Sequence, residues 1–129
     1  MNKPEKITGV LVDVNAGTVK EATIEANLDS YYKALNCDCI DIVVRSLGPY
    51  RFDIICDDEG LLKDNARMSA TDPHGHPMLV GNLFFCHHDE EGNLTSLHPE
   101  EVTFILSRVI RLKELGTNNF RKVIHRLDY

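Results

Sequence analysis

"MLVGNLFFC", residues 78 to 86, is the stretch of this sequence that decides the fold. It is apolar on both faces of an extended chain, so it predicts the central strand of a sheet. The following residues, "HHDEEGN" (87–93), are polar and contain the glycine and asparagine that favour tight turns. We therefore interpret residues 84–93 as the end of a buried strand followed by a turn.

Two β-hairpins are predicted before this strand. Residues 7–14 and 18–26 are β-rich, and the "NAG" segment between them tolerates the positive φ of a short hairpin loop. Residues 39–47 and 50–58 alternate between apolar and polar side chains and are separated by a Gly-Pro pair. Both patterns are typical of half-buried antiparallel strands.

The sequence also predicts three helices. Asn27 is a favourable N-cap for a short helix with an apolar stripe of Leu28, Tyr31, Tyr32 and Leu35. Pro99 suits the first position of a second helix over residues 99–115. The tail, residues 116–129, predicts a short amphipathic helix because helical spacing relates Phe120, Val123, Ile124 and Leu127.

These elements predict an α+β fold in a single domain, 1–129. A mainly antiparallel sheet of about five strands is expected to be covered by two to three helices. The predicted core spans residues 7–115, and residues 116–129 are a C-terminal extension. Residues 59–77 are the longest irregular stretch, and long loops in compact domains are often functional.

Composition limits the class of protein. The chain has 129 residues and a net charge of −6, from 14 basic and 20 acidic residues, which argues against non-specific nucleic-acid binding. No apolar run approaches the roughly 20 residues of a membrane span, and no secretory signal is recognisable at the start. Four cysteines in a chain of this size do not indicate a disulfide framework, so reduced thiols and a cytoplasmic location are expected.

The sequence predicts no catalytic residue, no metal and no cofactor. Zinc requires about four converging ligands; Cys86 and His88 share a face at the end of the central strand, but His87 points away. A calcium loop beginning at His87 would place histidines where Asp and Glu are required. The nucleophile-elbow, P-loop and dinucleotide-binding motifs are absent. These observations favour a non-enzymatic protein.

Two sets of polar residues are candidate binding sites. The 59–77 loop contributes a set that could contact a small molecule or nucleotide, with hydrolysis as a variant: Arg67, His74 and His76. Two acidic turns contribute a candidate surface for a protein partner: Asp57, Asp58, Glu59, Asp89, Glu90 and Glu91. Exposed strands also make a homodimer an expectation.

Two segments carry a family resemblance. "YRFDIICDDEGLLKDNAR" (50–67) and "LVGNLFFCHHDEEGNLTSLHPEEV" (79–102) resemble a family of small uncharacterised proteins from bacteriophages and conjugative elements of Firmicutes. The resemblance covers residues 7–110 and departs from the family pattern in "MSATDPHGHP" (68–77). Because the family has no known function, the resemblance implies a setting in mobile genetic elements but no reaction and no site residues.

The sequence therefore predicts a non-enzymatic accessory protein of a mobile element that acts by binding a protein. A narrower version is an antagonist of host defence whose acidic surface imitates nucleic acid. The alternative is a small-molecule or nucleotide-binding domain that uses the 59–77 loop.

Overall fold

The computed structural model describes residues 5–59, 67–113 and 116–129. These residues contain two helices and eleven strands. In chain order they are β1 (Lys6–Asp13), β2 (Thr18–Glu25), α1 (Leu28–Leu35), β3 (Ile40–Leu47), β4 (Tyr50–Asp57), β5 (Met68–Thr71), β6 (Pro77–Val80), β7 (Leu83–His88), β8 (Leu94–Thr95), α2 (Pro99–Ser107), β9 (Val109–Lys113), β10 (Phe120–Ile124) and β11 (Leu127–Asp128). Neither helix is long and apolar enough to span a membrane.

The strands form two sheets. The seven-stranded sheet has the order β11-β3-β4-β7-β1-β2, with β8 paired to β7, and the four-stranded sheet has the order β6-β5-β10-β9. All pairs are antiparallel except the single parallel contact between β5 and β10. The predicted α+β fold, with a sheet of about five strands covered by helices, is therefore wrong. The described chain is mostly β, and its two sheets share a core.

Side-chain alternation along β7 divides the core into two parts. Phe85 belongs to the larger hydrophobic cluster, which contains Phe52 of the seven-stranded sheet and Ala70 and Ile124 of the four-stranded sheet. Phe84 points to the opposite face and packs in a second cluster with residues of α1, Tyr31 and Leu35. The seven-stranded sheet is thus buried on both faces near the start of β7, which agrees with the apolar side chains at all four positions from Leu83 to Cys86.

The predicted central strand over residues 78–86 is divided in two. Its second part is β7, at the centre of the larger sheet as expected, whereas its first part is β6, at the edge of the smaller sheet. The chain changes sheet at Gly81, which has a φ of +87°. The buried side chain of Asn82 then accepts a hydrogen bond from Val14 N (2.8 Å) and donates one to Leu35 O (2.9 Å).

The elements predicted for the first half of the chain are confirmed, although Leu28 of the predicted apolar stripe is 52% exposed. Both hairpins are present, as β1–β2 and β3–β4, and their turns contain Gly17 and Gly48 with positive φ. Helix α1 begins after Asn27, whose side chain accepts a hydrogen bond from Ser30 N at 2.9 Å. Local sequence predicts these elements because the residues that form each turn or cap lie within a few positions of the strand or helix that they begin or end.

The predictions for the C-terminal part fail after residue 107. Helix α2 begins at Pro99 as predicted, but it ends at Ser107, and residues 109–113 form β9. The tail is not an amphipathic helix, because residues 120–124 and 127–128 form β10 and β11. Strand β10 pairs with β9 along its whole length, and Arg126 has a φ of +67°, which a right-handed helix does not contain.

The tail is also part of the core. Val123, Ile124 and Leu127 are all 0% exposed, so residues 120–128 complete both sheets and do not extend from a finished domain. The predicted 59–77 loop is only partly irregular, because residues 68–71 form β5 within it. Residues 60–66 of that loop lie outside the described residues.

Candidate functional site

Two histidines at the end of β7 each contact a carboxylate, on opposite faces of the larger sheet. His87 Nε2 lies 2.6 Å from Glu101 Oε2 in the first turn of α2. His88 Nδ1 lies 2.6 Å from Asp53 Oδ2 in β4. The alternation of side chains along a strand separates the two pairs, as the sequence predicted for His87 and His88.

Glu101 joins α2 to the central strand. It is 5% exposed, and its second oxygen accepts a hydrogen bond from His98 N at 2.9 Å, which caps the helix. Burial acts to raise the pKa of Glu101, but the bonds from the His98 N–H and the His87 imidazole outweigh burial and hold the pKa below its usual value. The cap is therefore an ionised carboxylate.

The second pair combines a buried acid with a solvent-accessible imidazole. Asp53 is 6% exposed, whereas the side chain of His88 is 57% exposed. The hydrogen bond to Asp53 and its negative charge raise the pKa of His88. A carboxylate that orients a histidine is a common part of catalytic sites, so a nucleophile beside this pair would indicate an enzyme.

The neighbouring thiol cannot serve as that nucleophile. Cys86 lies opposite Asp53 in the β4–β7 pairing and is 0% exposed. Burial, followed by the charge of Asp53, raises the pKa of Cys86 to about 12, and the thiolate is the reactive form of cysteine. Among the described residues no three His, Cys, Asp or Glu side chains converge as metal ligands. The pair Cys86 and His88 thus shows neither an activated thiol nor a metal centre.

The predicted ligand-binding residues do not form one site. His74 and His76 lie in the turn between β5 and β6, where the side chain of Asp72 accepts hydrogen bonds from both backbone N–H groups (2.8 and 2.9 Å). Both histidines are exposed. Arg67 precedes β5 while the histidines follow it, so the strand separates them, and neither histidine lines the pocket that contains Arg67.

The two acidic turns lie at opposite ends of the larger sheet. One follows β4 and the other follows β7, and these strands are antiparallel, so their ends point in opposite directions. About seven residues of strand separate the turns, or roughly 20 Å. Asp57 is itself buried, at 8% exposure. The six predicted acidic residues therefore do not form a continuous partner surface.

One acidic turn borders a groove beside helix α1. The groove has a volume of about 450 Å³ and is lined by Asp29, Tyr32, Lys33, Asn36, Cys37, Asp38, Asp57 and Glu59. Four of these eight residues are acidic and one is basic, so the groove concentrates the negative charge of the chain. We call it the acidic groove.

A second concave site contains Arg67 and two further arginines. It has a volume of about 420 Å³ and is lined by Asn15, Ala16, Gly17, Arg67, Arg111, Asn118, Asn119, Phe120 and Arg121. Among the lining residues that the structure describes none is acidic, although the whole chain has a net charge of −6. We call this site the arginine pocket.

Backbone contacts position the arginines. Arg67 Nη1 donates to Val14 O (3.3 Å), and Arg121 Nη1 donates to Met68 O (2.5 Å). The Arg111 guanidinium stacks on Phe120, 4.6 Å from the ring centroid. The β1–β2 turn closes one side of the pocket, where a side chain at Gly17 would place its Cβ 3.3 Å from Cβ of Arg121.

Comparison with known proteins identifies the family but no close relative. Residues 7–110 match the family described as domain of unknown function DUF3846. The chain belongs to the DUF3846 family. No curated protein and no solved structure matches it. The resemblance to an uncharacterised family over residues 7–110 is thus confirmed.

The arginine pocket of this DUF3846 protein crosses the boundary of the family match. Arg67 lies inside residues 7–110, whereas Arg111 and Arg121 follow them. Of these three arginines the sequence predicts only Arg67 as a binding residue, because residues 111 and 121 lie in segments whose apolar spacing predicts helices. The asparagine-rich turns "NAG" and "NN" gave the only local signal, since Asn and Gly favour loops at which a ligand can approach the backbone.

Proposed function

We propose that this DUF3846 protein is a non-enzymatic binding protein for a small molecule that carries phosphate groups, with a nucleotide as the expected class. The observation that supports the proposal is the arginine pocket, where three guanidinium groups line one cavity. Of the three ligand-binding residues predicted from the 59–77 loop, the proposal retains Arg67. Arg111 and Arg121 take the place of His74 and His76 as proposed ligand contacts, and no hydrolytic step is included.

The pocket has the chemistry that phosphate recognition needs. A guanidinium donates two parallel hydrogen bonds to a phosphate and keeps its charge at all physiological pH values. Asn15, Asn118 and Asn119 provide amide donors and acceptors that suit the edge of a base. Phe120 is 52% exposed and provides an aromatic face. The volume of about 420 Å³ lies in the usual range for small-molecule sites.

The setting that we propose is a bacteriophage or conjugative element of Firmicutes, in the cytoplasm of the host. The resemblance of the segments over residues 50–67 and 79–102 supports this setting. All four cysteines are thiols rather than disulfides, which agrees with a reducing compartment.

Binding of ATP and of inorganic pyrophosphate to purified protein tests the proposal by isothermal titration calorimetry. Arg111→Ala should weaken ATP binding by about tenfold, because a charge-assisted hydrogen bond contributes about 1.5 kcal/mol or more. Arg51→Ala is the matched control, since Arg51 is an exposed arginine of β4 outside the pocket. Wild-type protein that binds neither probe, or an equal loss in both variants, would contradict the proposal.

A second function, binding of a protein partner, rests on the acidic groove. Four carboxylate residues line it, so a partner with a basic segment would be attracted over a range of about 8–10 Å at physiological salt. The predicted antagonist of host defence is a narrower form of this function. An antagonist of this kind would have to bind its partner through the acidic groove beside α1, because the two acidic turns do not form one surface.

A lysine-rich peptide labelled with a fluorophore tests this second function by anisotropy. The double substitution Asp38→Asn and Glu59→Gln should reduce peptide affinity several-fold and lower its salt dependence, since two charges leave the groove. Asp89→Asn with Glu91→Gln removes the same charge at the opposite end of the sheet and should have little effect. Equal losses in the two double variants would show that only net charge matters.

A further inference from the structure

The hairpin formed by β9 and β10 concentrates the basic residues of the chain. Residues 108–126 contain six lysine or arginine residues and one acidic residue, Glu114, whereas the rest of the chain contains eight basic and nineteen acidic residues. The whole-chain charge that argues against nucleic-acid binding therefore averages two unlike parts. A segment with a local excess of cations attracts polyanions on its own.

Strand register places three of these cations and one aromatic ring on the same face of the hairpin. Phe120 pairs with Lys113, and Lys122 pairs with Arg111. Directly paired residues of antiparallel strands project to the same face, and so do alternate residues of one strand. All four side chains are exposed. We call this set, Arg111, Lys113, Phe120 and Lys122, the basic face.

The basic face begins where the core ends. Val109 pairs with Ile124 on the same side of the hairpin; Ile124 belongs to the larger hydrophobic cluster, and Val109 packs against that cluster. Toward the tip of the hairpin the same side changes from apolar to charged, and Phe120 is 52% exposed there. Packing of the core therefore does not account for an aromatic ring at position 120.

An exposed ring among cations is an arrangement that suits single-stranded nucleic acid. The Arg111 guanidinium lies 4.6 Å from the centroid of the Phe120 ring, so the cation and the ring form a stack that a base can extend. Proteins that bind single strands combine such aromatic platforms with basic residues that contact the backbone. An acidic polypeptide would satisfy the charges, but its carboxylates would make no use of an aromatic platform.

The spacing of the basic face suits consecutive nucleotides. The Lys122–Arg111 pair and the Phe120–Lys113 pair are two residues apart along the strands, which is about 7 Å. This distance is close to the separation of neighbouring phosphates in an extended strand. Arg111 and Phe120 line the arginine pocket, whereas Lys113 and Lys122 are not among its described lining residues. The basic face thus continues outward from the pocket.

We propose that the basic face binds single-stranded nucleic acid, of which one nucleotide occupies the arginine pocket. Phe120 and Arg111 stack on a base, and Lys113 and Lys122 contact the phosphates of the nucleotides that follow. This inference rests on the proposed function, because the pocket supplies the first nucleotide site. It names the substrate class as a strand rather than a free nucleotide.

Fluorescence anisotropy with a labelled oligothymidine of about ten nucleotides tests the inference. The double substitution Lys113→Gln and Lys122→Gln should weaken binding of the oligomer by about tenfold and reduce the slope of log affinity against log salt by about 1.4, since two phosphate contacts are lost. The affinity for ATP, measured by calorimetry, should stay within about twofold of wild type, because the two lysines contact only the nucleotides beyond the pocket.

Lys6→Gln with Lys33→Gln is the matched control, because it removes the same charge from two exposed lysines of β1 and α1. Binding of the oligomer to this variant should stay within about twofold of wild type, since screening limits the reach of distant surface charges. If both double variants lose affinity equally, net charge alone accounts for binding and the inference is wrong.

Phe120→Leu tests stacking separately from charge. It should weaken binding of the oligomer by about tenfold without changing the salt slope, because the aromatic platform is lost while every cation remains. A labelled decaglutamate peptide should bind wild type far more weakly than the oligomer does. Unchanged binding of the oligomer to Phe120→Leu, or equal affinity of wild type for the peptide, would overturn the inference.

The outcomes separate this inference from the proposed function. Wild type that binds ATP but holds the oligomer no more tightly would refute strand binding and leave the nucleotide site standing. Wild type that binds none of ATP, pyrophosphate and the oligomer would contradict both. A parallel titration with oligouridine of the same length identifies the strand as DNA or RNA, because only RNA presents 2′-hydroxyl groups; tight binding of either supports the inference.

Discussion

His87 and His88, which are neighbours on β7, each connect this strand to another part of the molecule. His87 hydrogen-bonds Glu101 of α2, and His88 hydrogen-bonds Asp53 of β4 on the opposite face of the larger sheet. Each bond joins an imidazole to a carboxylate that is at least nine-tenths buried, so each histidine satisfies an acid that would otherwise be costly to bury. Their first role is structural.

The raised pKa of His88 predicts a pH-dependent stability. A histidine whose pKa is higher in the folded state stabilises it fully below its unfolded pKa of about 6.5, and this contribution disappears as the pH rises through the folded value. The difference in free energy of unfolding between wild type and His88→Gln should therefore be larger at about pH 5.5 than at about pH 9. Urea denaturation at the two pH values measures it.

His74→Gln is the control for this experiment, because His74 is exposed in the β5–β6 turn. Its effect on unfolding should be small at both pH values, because the exposed side chain makes few contacts to lose. A His88→Gln effect that stays constant, or that grows as the pH rises, would show that protonated His88 does not stabilise the fold.

At the scale of elements, pairing in space overrides the local pattern in the last third of the chain. Apolar residues three and four positions apart occur in residues 109–112 and 120–127, and this spacing fits a helix. The structure has β9, β10 and β11 there, because Val109 and Ile110 pair with Ile124 and Val123 and Leu127 pairs with Leu47. These partners are distant in sequence, so no local signal reports them.

Burial of β11 predicts that the tail is essential for stability. Leu127→Ala should lower the free energy of unfolding by about 2–5 kcal/mol, since it removes a fully buried leucine side chain and leaves a cavity. Tyr129→Ala, two residues later, removes a side chain that is 76% exposed and should cost well under 1 kcal/mol. Chemical denaturation of both variants measures the difference; similar small losses would indicate a dispensable extension.

At the scale of the whole molecule, the fold separates opposite charges. The acidic groove lies beside α1 at the end of β4, whereas the arginine pocket lies where the β1–β2 turn meets the smaller sheet. Lys122 N donates to Gly17 O at 3.2 Å and ties that turn to β10. The net charge of −6 for the whole chain therefore does not indicate the local charge of either site. Function has to be inferred from local charge, since each site would attract a different kind of ligand.

The sequence by itself determined the two hairpins, the capped start of each helix, the buried strand at Phe84 and Phe85, and the divergence of His87 from His88. All of these follow from the period of a strand or from a cap or turn residue within a few positions. It also proposed Arg67 as a candidate binding residue, because a charged residue in a turn-rich stretch is visible locally; that proposal stays a prediction.

Only the tertiary structure decided that the fold is two sheets sharing a core, that residues 109–113, 120–124 and 127–128 are strands, and that Arg111 and Arg121 join Arg67. The two acidic turns likewise look equivalent in sequence and lie at opposite ends of the sheet. The physical reason is the same in each case: strand pairing and cavity lining join residues that are tens of positions apart, and hydrophobic period alone does not encode their partners.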